Sequence, residues 1–265
     1  MNGIWTCTIA AGVALTIAVP LAAQGIAERV SAVKQGSMEL QFASRPGVCG
    51  NGDDGVSIGR SMHVGRYEGD GAWNCEPGPV RVRLEVVDGA VRDIRTSVGR
   101  APTRSDNERV TNLGPVPAAA AAAYFLQLAK TADSRVSNRA IMPAVLADSV
   151  YPWRELLAVA RDTATRSRGT RSSAELWLSR FAGVKLSGHP NDLSAPDDEA
   201  VSDESQARSS AVFALSQLRN REGIPPLLQV ARTNRDAYVR RQALFWLGQS
   251  GDPRALRLFE EILGG

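Results

Sequence analysis

Side chains that perform catalysis are scarce in this sequence of 265 residues, which has two histidines and three cysteines. A Ser-His-Asp site needs a histidine beside a positioned serine. Ser61 lies near His63, but Gly59-Arg60-Ser61 lacks the second glycine of a nucleophile elbow. No C-x-x-C, H-E-x-x-H or P-loop pattern occurs. We therefore expect no catalytic residues, and we expect His63 and His189 to be ordinary surface residues.

A glycine-rich segment, Gly50-Asn51-Gly52-Asp53-Asp54-Gly55, contains the literal pattern G-x-G-x-x-G. Dinucleotide-binding forms of this pattern open a helix, whereas this segment follows a cysteine and opens none. Asn51, Asp53 and Asp54 suggest calcium, but Val56 occupies the position of the turn glycine in an EF-hand loop. We expect a tight loop that holds neither a cofactor nor a metal.

The same region leaves one alternative function open. Residues 45–79 are rich in Gly, Asp and Asn, which is unusual for a stretch of this length. A cleft lined there by His63, Asp53, Asp54 and Tyr67 would favour a small-ligand-binding protein or an enzyme, with its site where the β region meets the first helices.

The N-terminus has the pattern of an export signal. Residues 4–19 are mostly apolar, Pro20 ends the run, and Leu21-Ala22-Ala23 supplies small residues for cleavage. We expect residues 1–23 to be a signal peptide, although no Lys or Arg precedes the apolar run. The alternative is an envelope-anchored protein that keeps residues 4–23 as a membrane helix.

Removal of this segment leaves two cysteines, Cys49 and Cys75. An even pair in an exported chain predicts a disulfide. Closing a loop of about 25 residues stabilises a fold by roughly 3 kcal/mol in the chain-entropy model. The alternatives are two free thiols or half of a metal site. For a metal site, the sequence offers no further ligands at a suitable spacing.

The first half of the mature chain has the pattern of a small sheet. We expect a tether over 24–36, an antiparallel β module over 37–100 and a linker over 101–117. Val80 to Val86 alternates apolar and charged residues, and Asp88-Gly89 predicts a hairpin turn before the return strand. The 28 acidic residues nearly balance the 31 basic ones, so we predict no nucleic-acid partner.

Residues 118–265 have a helical pattern that repeats. Segments around Ala140, Ala174, Ala211 and Ala243 align, with spacings of 34, 37 and 32 residues. Each unit predicts two helices, A and then B, and neither can bury its apolar stripe alone. The second unit lacks a B-helix pattern, because an acidic stretch occupies that register. We predict either a solvated loop over 186–204 or a gap in the helix layer with acidic walls.

These units resemble the HEAT-like repeat family in its short bacterial form, over about residues 133–265. The last unit carries the resemblance through Val239-Arg240, Ala243-Leu244, Leu247-Gly248 and Asp252-Pro253-Arg254-Ala255-Leu256. The resemblance implies an α-solenoid that acts as a protein-binding scaffold. Such repeats also occur inside some lyases, and the resemblance says nothing about the N-terminal β region.

Equivalent positions of the repeat supply a candidate interaction surface. Arginines recur near the starts of three A helices, tryptophans recur at two matching positions, and the acidic stretch adds carboxylates. Each arginine instead fits a structural pairing with its neighbouring repeat, and each tryptophan fits packing between repeats. The candidate residues are Arg171, Arg208, Arg240, Trp177, Trp246, Asp197, Asp198 and Glu199.

These observations predict an α+β protein in which a small disulfide-tied antiparallel β module precedes a HEAT-like α-solenoid. We predict an exported, non-enzymatic scaffold, periplasmic or extracellular, that binds a protein partner. A membrane association is expected only if the N-terminal helix is not cleaved.

The signal-peptide hypothesis makes a direct prediction about the mature N-terminus. Expression of the full chain in an exporting host should give a mature protein that begins at Gln24, because the small residues before it suit signal peptidase. Intact-mass and N-terminal peptide mass spectrometry measure this. A mature protein that retains residues 4–23 would support the membrane anchor instead.

Overall fold

An amphipathic hairpin forms the centre of the main sheet. Strand β6, Val80–Val87, buries alternate residues, and Asp88-Gly89 turns the chain into β7, Ala90–Val98. Both turn residues have positive φ, 50° and 72°, which is the conformation that the Asp-Gly pair favours. Strand β1, Gln35–Phe42, pairs antiparallel with β6 and contributes Met38, Leu40 and Phe42 to the core.

The computed structural model describes residues 21–52, 55–59, 62–64, 75–101, 110–188, 192–194 and 201–265. The apolar run of the expected signal peptide, residues 4–19, lies outside these ranges. Within the part of the chain that the structure describes, no helix has both the length and the apolar character needed to cross a membrane.

The expected linker over 101–117 is wrong for its second half. Val110–Pro115 forms strand β8, which pairs parallel with β1 at the edge of the main sheet, so the strand order is β7-β6-β1-β8. Only Leu113 of this strand is buried. Main-chain hydrogen bonds to β1, and not an apolar side-chain pattern, hold the strand, and this is why its polar residues resemble a linker.

A second, smaller sheet forms where the sequence suggests irregular loops. It contains β2, Val48–Gly50; β3, Val56–Ile58; β4, Met62–Val64; and β5, Glu76–Pro77, in the order β4-β3-β2-β5. Cys49 in β2 and Cys75, just before β5, form a disulfide. The bridge joins two neighbouring strands whose few residues bury little apolar surface, in agreement with the predicted pairing.

The expected tether over 24–36 is also wrong, because Leu21–Ser31 forms helix α1 and β1 begins at Gln35. Ile26 and Val30, one turn apart, are buried against α2, Ala118–Thr131. These two residues, at a spacing of four, dock the short helix on α2.

The remaining helices follow the predicted repeat units. Side chains of Ser or Asp cap the first turn of each A helix, at Asp133, Ser167, Ser202 and Asp236. The A helices are α3, Ser134–Leu146; α5, Arg168–Leu186; α6, Asp203–Ser216; and α8, Ala237–Gln249. The B helices are α4, Trp153–Arg161; α7, Ile224–Thr233; and α9, Pro253–Gly264.

The units do not stack in their order along the chain. Helix α5 of the second unit packs on α8 and α9 of the last unit, while α6 and α7 pack on another side of α8. Helix α9 also contacts α4, and Arg161 pairs with Glu260 across that contact at 2.5 Å. The last unit therefore packs on α5, the helix for which the sequence pattern predicts no B helix. Where α9 contacts α5, the predicted gap in the helix layer is filled.

One buried arginine connects the sheets to the helices through hydrogen bonds. Arg45 follows β1 and is 2% exposed. Its Nε donates a hydrogen bond to the Val145 carbonyl at 2.7 Å, and a terminal nitrogen donates to the Val150 carbonyl. Its guanidinium lies 5.3 Å from the ring centre of Phe181 in α5. Burial lowers the pKa of Arg45 to about 10, so the side chain remains charged at neutral pH.

Main-chain contacts accompany this side chain. The Arg45 amide donates to the Leu146 carbonyl at 3.0 Å, and the Asp148 amide donates to the Ala43 carbonyl at 2.9 Å. One continuous set of buried apolar residues runs from the main sheet into the helices. The β module and the helices therefore share a core.

Replacement of Arg45 should loosen this junction. We expect Arg45→Ala to lower the free energy of unfolding by about 3 kcal/mol, because one buried and one partly buried carbonyl lose their donor and a cavity remains. Urea unfolding followed by circular dichroism measures the change. Arg257→Ala, at an exposed position of α9, should change stability by less than about 0.5 kcal/mol. Equal effects of the two substitutions would contradict the assigned role of Arg45.

Candidate functional site

Two adjoining cavities form one groove across the A helices. The first, of about 710 Å³, lies between α5 and α8, and the second, of about 670 Å³, lies between α3, α5 and the strands β4 and β7. Met62, Asn138, Ser173 and Leu176 line both cavities, so the two cavities adjoin. We call this surface the central groove.

Small side chains open the part of the groove between α5 and α8. The α5 wall presents Gly169, Ser172 and Ser173 before Leu176, at the spacing of one helix face. The α8 wall presents side chains that are larger than those of the α5 wall and that lie along one face of the helix: Tyr238, Arg241, Phe245 and Gln249. Beneath them the two helices approach closely, because a Cβ built on Gly248 would lie 2.7 Å from the Cβ of Ser179.

The second part of the groove carries a cluster of charges. Asp93 of β7 accepts a hydrogen bond from Arg135 at 3.2 Å and another from Arg139, both on α3. Arg95 approaches the same carboxylate at 4.0 Å. Three arginines thus share one aspartate, and the cluster keeps a net positive charge.

Two arginines also line the part of the groove between α5 and α8. Arg241 donates a hydrogen bond to the Ser187 hydroxyl at 3.0 Å and lies 6.0 Å from the centre of the Tyr238 ring. Arg180 donates to the carbonyl of Leu193, which is fully buried. The described residues that line the central groove thus include five arginines and one residue with a carboxylate, Asp93.

Glu175 lies on α5 close to the groove and is only 8% exposed. Burial raises its pKa to about 7, and the nearby positive charges of Arg171 and Arg168 oppose this rise only in part. The backbone at Glu175 lies against Gly248, because the Glu175 carbonyl would be 3.0 Å from a Cβ at that glycine. The backbone of Glu175 is thus part of the contact between α5 and α8.

The predicted arginines make local contacts. Two bind carbonyl groups in the loops that precede their helices, and one binds a side chain of its own helix. Arg171 donates to the Arg166 carbonyl at 2.7 Å, and Arg240 donates to the Asn234 carbonyl at 2.7 Å. Arg208 pairs with Glu204 one turn earlier at 2.5 Å. None of the three is among the described residues of the groove. Their role in binding a partner stays a prediction.

The two predicted tryptophans differ in position. Trp177 is 3% exposed and lines the second part of the groove. Trp246 is half-buried and contacts Phe213 of α6, with ring centres 5.0 Å apart. Trp246 thus fills space between α6 and α8, as the packing interpretation predicts, while Trp177 forms part of the floor of the groove.

Several predicted residues fall outside the described part of the chain: Asp53, Asp54, Tyr67, His189, Asp197, Asp198 and Glu199. His63 is exposed on β4, and its Nδ1 lies 2.7 Å from the Ser57 hydroxyl on β3. In the described residues no group of three or more His, Cys, Asp and Glu side chains is placed to hold a metal ion.

Sequence reasoning missed most of the groove. The α8 stripe Val239, Ala243 and Leu247 marks the buried face, so the opposite face with Tyr238 and Phe245 was recognisable from the same periodicity. No sequence signal predicts that Met62 and Leu176 line the same groove. Their proximity depends on how the second sheet packs against the helices.

The close approach at Gly248 yields a stability prediction. Gly248→Ala should destabilise the protein by about 1 to 3 kcal/mol, because the added methyl meets Ser179 and the α5 backbone. Gly169→Ala is the matched control in α5, since its nearest atom would be 3.9 Å away, and it should leave stability unchanged or raise it by up to about 1 kcal/mol. Thermal unfolding compares the two. A stable Gly248→Ala protein would contradict the direct contact of α5 and α8.

The raised pKa of Glu175 predicts how stability depends on pH. The folded protein holds this proton up to about pH 7, whereas the unfolded chain releases it near pH 4.5. The stability gained from the neutral carboxyl is complete below about pH 4.5 and is lost as the pH rises to about 7. Glu175→Gln should therefore stabilise the protein at pH 8 relative to wild type and not at pH 4.

Denaturation curves over this pH range measure the difference between wild type and variant. Glu222→Gln, at an exposed position, should leave the pH profile of wild type unchanged. A profile for Glu175→Gln that runs parallel to wild type would show that this carboxyl ionises normally.

Comparison with known families identifies the C-terminal helices. Residues 198–265 match the family model described as HEAT repeats, and this span contains α6, α7, α8 and α9. The match confirms the resemblance over the last two units; it does not extend to the β module. Comparisons with curated proteins and with solved structures give no match. HEAT repeats generally mediate protein–protein interaction. Over residues 198–265, this chain is therefore similar to HEAT repeats.

Proposed function

We propose that the protein is an exported, non-enzymatic scaffold that binds a protein partner in the central groove. The observation that carries this proposal is the extent of the groove, which crosses α3, α5 and α8 and is bordered by the β module. Each cavity alone lies within the range of about 300–1,000 Å³ typical of small-molecule pockets. Because the two cavities adjoin, together they give a longer surface that suits a stretch of polypeptide.

The chemistry of the lining supports a binding role. Its described residues combine apolar side chains, small hydroxyls and arginines. Asp93, the carboxylate among them, is already engaged by Arg135 and Arg139. Aromatic and arginine side chains are the types most enriched at the centres of protein interfaces, and Tyr238, Phe245 and Arg241 supply both.

Support for export comes from the N-terminal sequence and from the cysteines. The Cys49–Cys75 disulfide lies in the β module, and such bridges persist in oxidising compartments. A periplasmic or extracellular location is thus consistent with the paired cysteines that remain after removal of residues 1–23.

Site-specific photo-crosslinking tests the proposal. A benzophenone amino acid in place of Phe245, which is 39% exposed in the groove, should crosslink a protein partner in exporting cells. The same amino acid in place of Val87, 37% exposed on the hairpin of the main sheet, is the matched control. The proposal predicts a discrete crosslinked band at 245 and none at 87. Equal labelling at both positions, or none at 245, would overturn it.

A further inference from the structure

The cavity between α3, α5 and the strands β4 and β7 has an unbalanced charge. Among its lining residues that the structure describes, the charged ones are Asp93, Arg95, Arg135 and Arg139. Three positive charges and one negative charge leave a net charge of +2 at neutral pH. On the neighbouring strand β6, Glu85 lies opposite Asp93 and Arg83 lies opposite Arg95, and these two opposite charges leave the balance unchanged.

The three arginines are held close together although their charges repel. Arg135 and Arg139 lie one turn apart on α3, a spacing at which like charges destabilise a helix. Both donate hydrogen bonds to the same oxygen of Asp93, and the Nε of Arg95 lies 4.0 Å from the other oxygen. The single carboxylate offsets one of the three charges, so an anion that enters the cavity relieves the repulsion that remains.

We propose that this cavity binds the phosphoryl group of a phosphate monoester through Arg95, Arg135 and Arg139. Such a group carries a charge of about −1.5 to −2 at pH 7, which balances the net charge of the cavity. A carboxylate carries a single charge and leaves about half of that charge unbalanced. The proposal goes beyond the scaffold function, because it holds whether or not a protein occupies the groove.

The three guanidinium groups are accessible to such a ligand. The side chains of Arg95, Arg135 and Arg139 are 63%, 66% and 42% exposed. Their contacts with Asp93 use one nitrogen of each guanidinium, which has five N–H donors in all. The other donors suit the three acceptor oxygens of a phosphoryl group, because arginine forks bind phosphate through paired hydrogen bonds.

The rest of the cavity suits a small organic group attached to the phosphoryl group. Its volume of about 670 Å³ lies within the range of about 300–1,000 Å³ that is typical of small-molecule pockets. Ile94 and Met142 supply apolar atoms, and Thr96, Asn138 and Ser173 supply uncharged polar groups. This mixed lining fits an uncharged body such as an aromatic ring with a polar edge.

Isothermal titration calorimetry with two ligands of matched shape tests the charge that the site selects. Phenyl phosphate is mainly a dianion at pH 7.5, whereas phenyl sulfate has the same ring and a single charge. We expect phenyl phosphate to bind at least about fivefold more tightly than phenyl sulfate, because only the dianion balances the three arginines. Equal affinities for the two ligands would overturn the proposal.

Substitution of the arginines locates the site. Arg135→Gln with Arg139→Gln should weaken the binding of phenyl phosphate by at least about tenfold. Arg257→Gln on α9 is the matched control, since this exposed residue is not among the described residues of the cavity, and it should change the affinity by less than about twofold. Equal loss in the control and in the double variant would overturn the proposal.

A charge-conserving pair keeps the test valid if the Gln pair does not fold, which circular dichroism checks. Arg135→Lys with Arg139→Lys retains both charges but replaces each planar fork with a point charge. We expect this pair to fold and to weaken binding by at least about threefold, because the paired hydrogen bonds are lost. Wild-type affinity in the Lys pair would overturn the assignment of these two side chains.

A free ester and a phosphorylated protein offer the same group, and a short peptide with a central phosphotyrosine distinguishes them. An affinity within about twofold of that for phenyl phosphate supports a free ester, since the peptide then adds no contact. An affinity at least about tenfold higher supports a phosphorylated protein. Absence of binding by both ligands would overturn the phosphoryl site.

The crosslink at position 245 tests the protein partner separately from this site. A discrete crosslink without binding of phenyl phosphate would reject the phosphoryl site alone. Binding of phenyl phosphate that depends on Arg135 and Arg139, without a crosslink, would support the phosphoryl site and reject the proposed protein partner in the groove.

Discussion

The burial of Arg45 sets the relation between the two halves of the molecule. Its guanidinium is removed from water and satisfied by the Val145 and Val150 carbonyls in the segment that ends α3 and leads to α4. Such a group is stable only with its partners in place, because an unpaired buried charge is costly. The β module is therefore held in one position against α3 and α5, and it forms a wall of the central groove.

A second constraint acts inside the helices. Gly248 lets α8 approach Ser179 of α5, and this contact joins the second unit directly to the last one. Small residues along α5 then leave space above the contact, where larger side chains would have filled the groove. The opening between α5 and α8 thus lies above a close contact between the two helices.

Local patterns predicted the parts of this structure that local forces decide. The β6–β7 hairpin, the A helices and the pairing of Cys49 with Cys75 follow from alternation, from the repeated apolar stripe and from the number of cysteines. Strand β8 and helix α1 were missed, because main-chain pairing holds the strand and, among the described side chains of the helix, two apolar residues dock it. The order of the units and the position of Met62 in the groove depend on tertiary contacts between distant segments, and no single-sequence pattern encodes them.

The central claim is that the β module and the A helices form two fixed walls of one groove. Double electron–electron resonance between spin labels in place of Arg95 on β7 and Phe245 on α8 measures the separation of these walls directly, since both side chains are exposed. A fixed groove predicts a single narrow distance distribution in the unbound protein. A broad or bimodal distribution would show that the walls move independently, and it would contradict a groove built by the docking of Arg45.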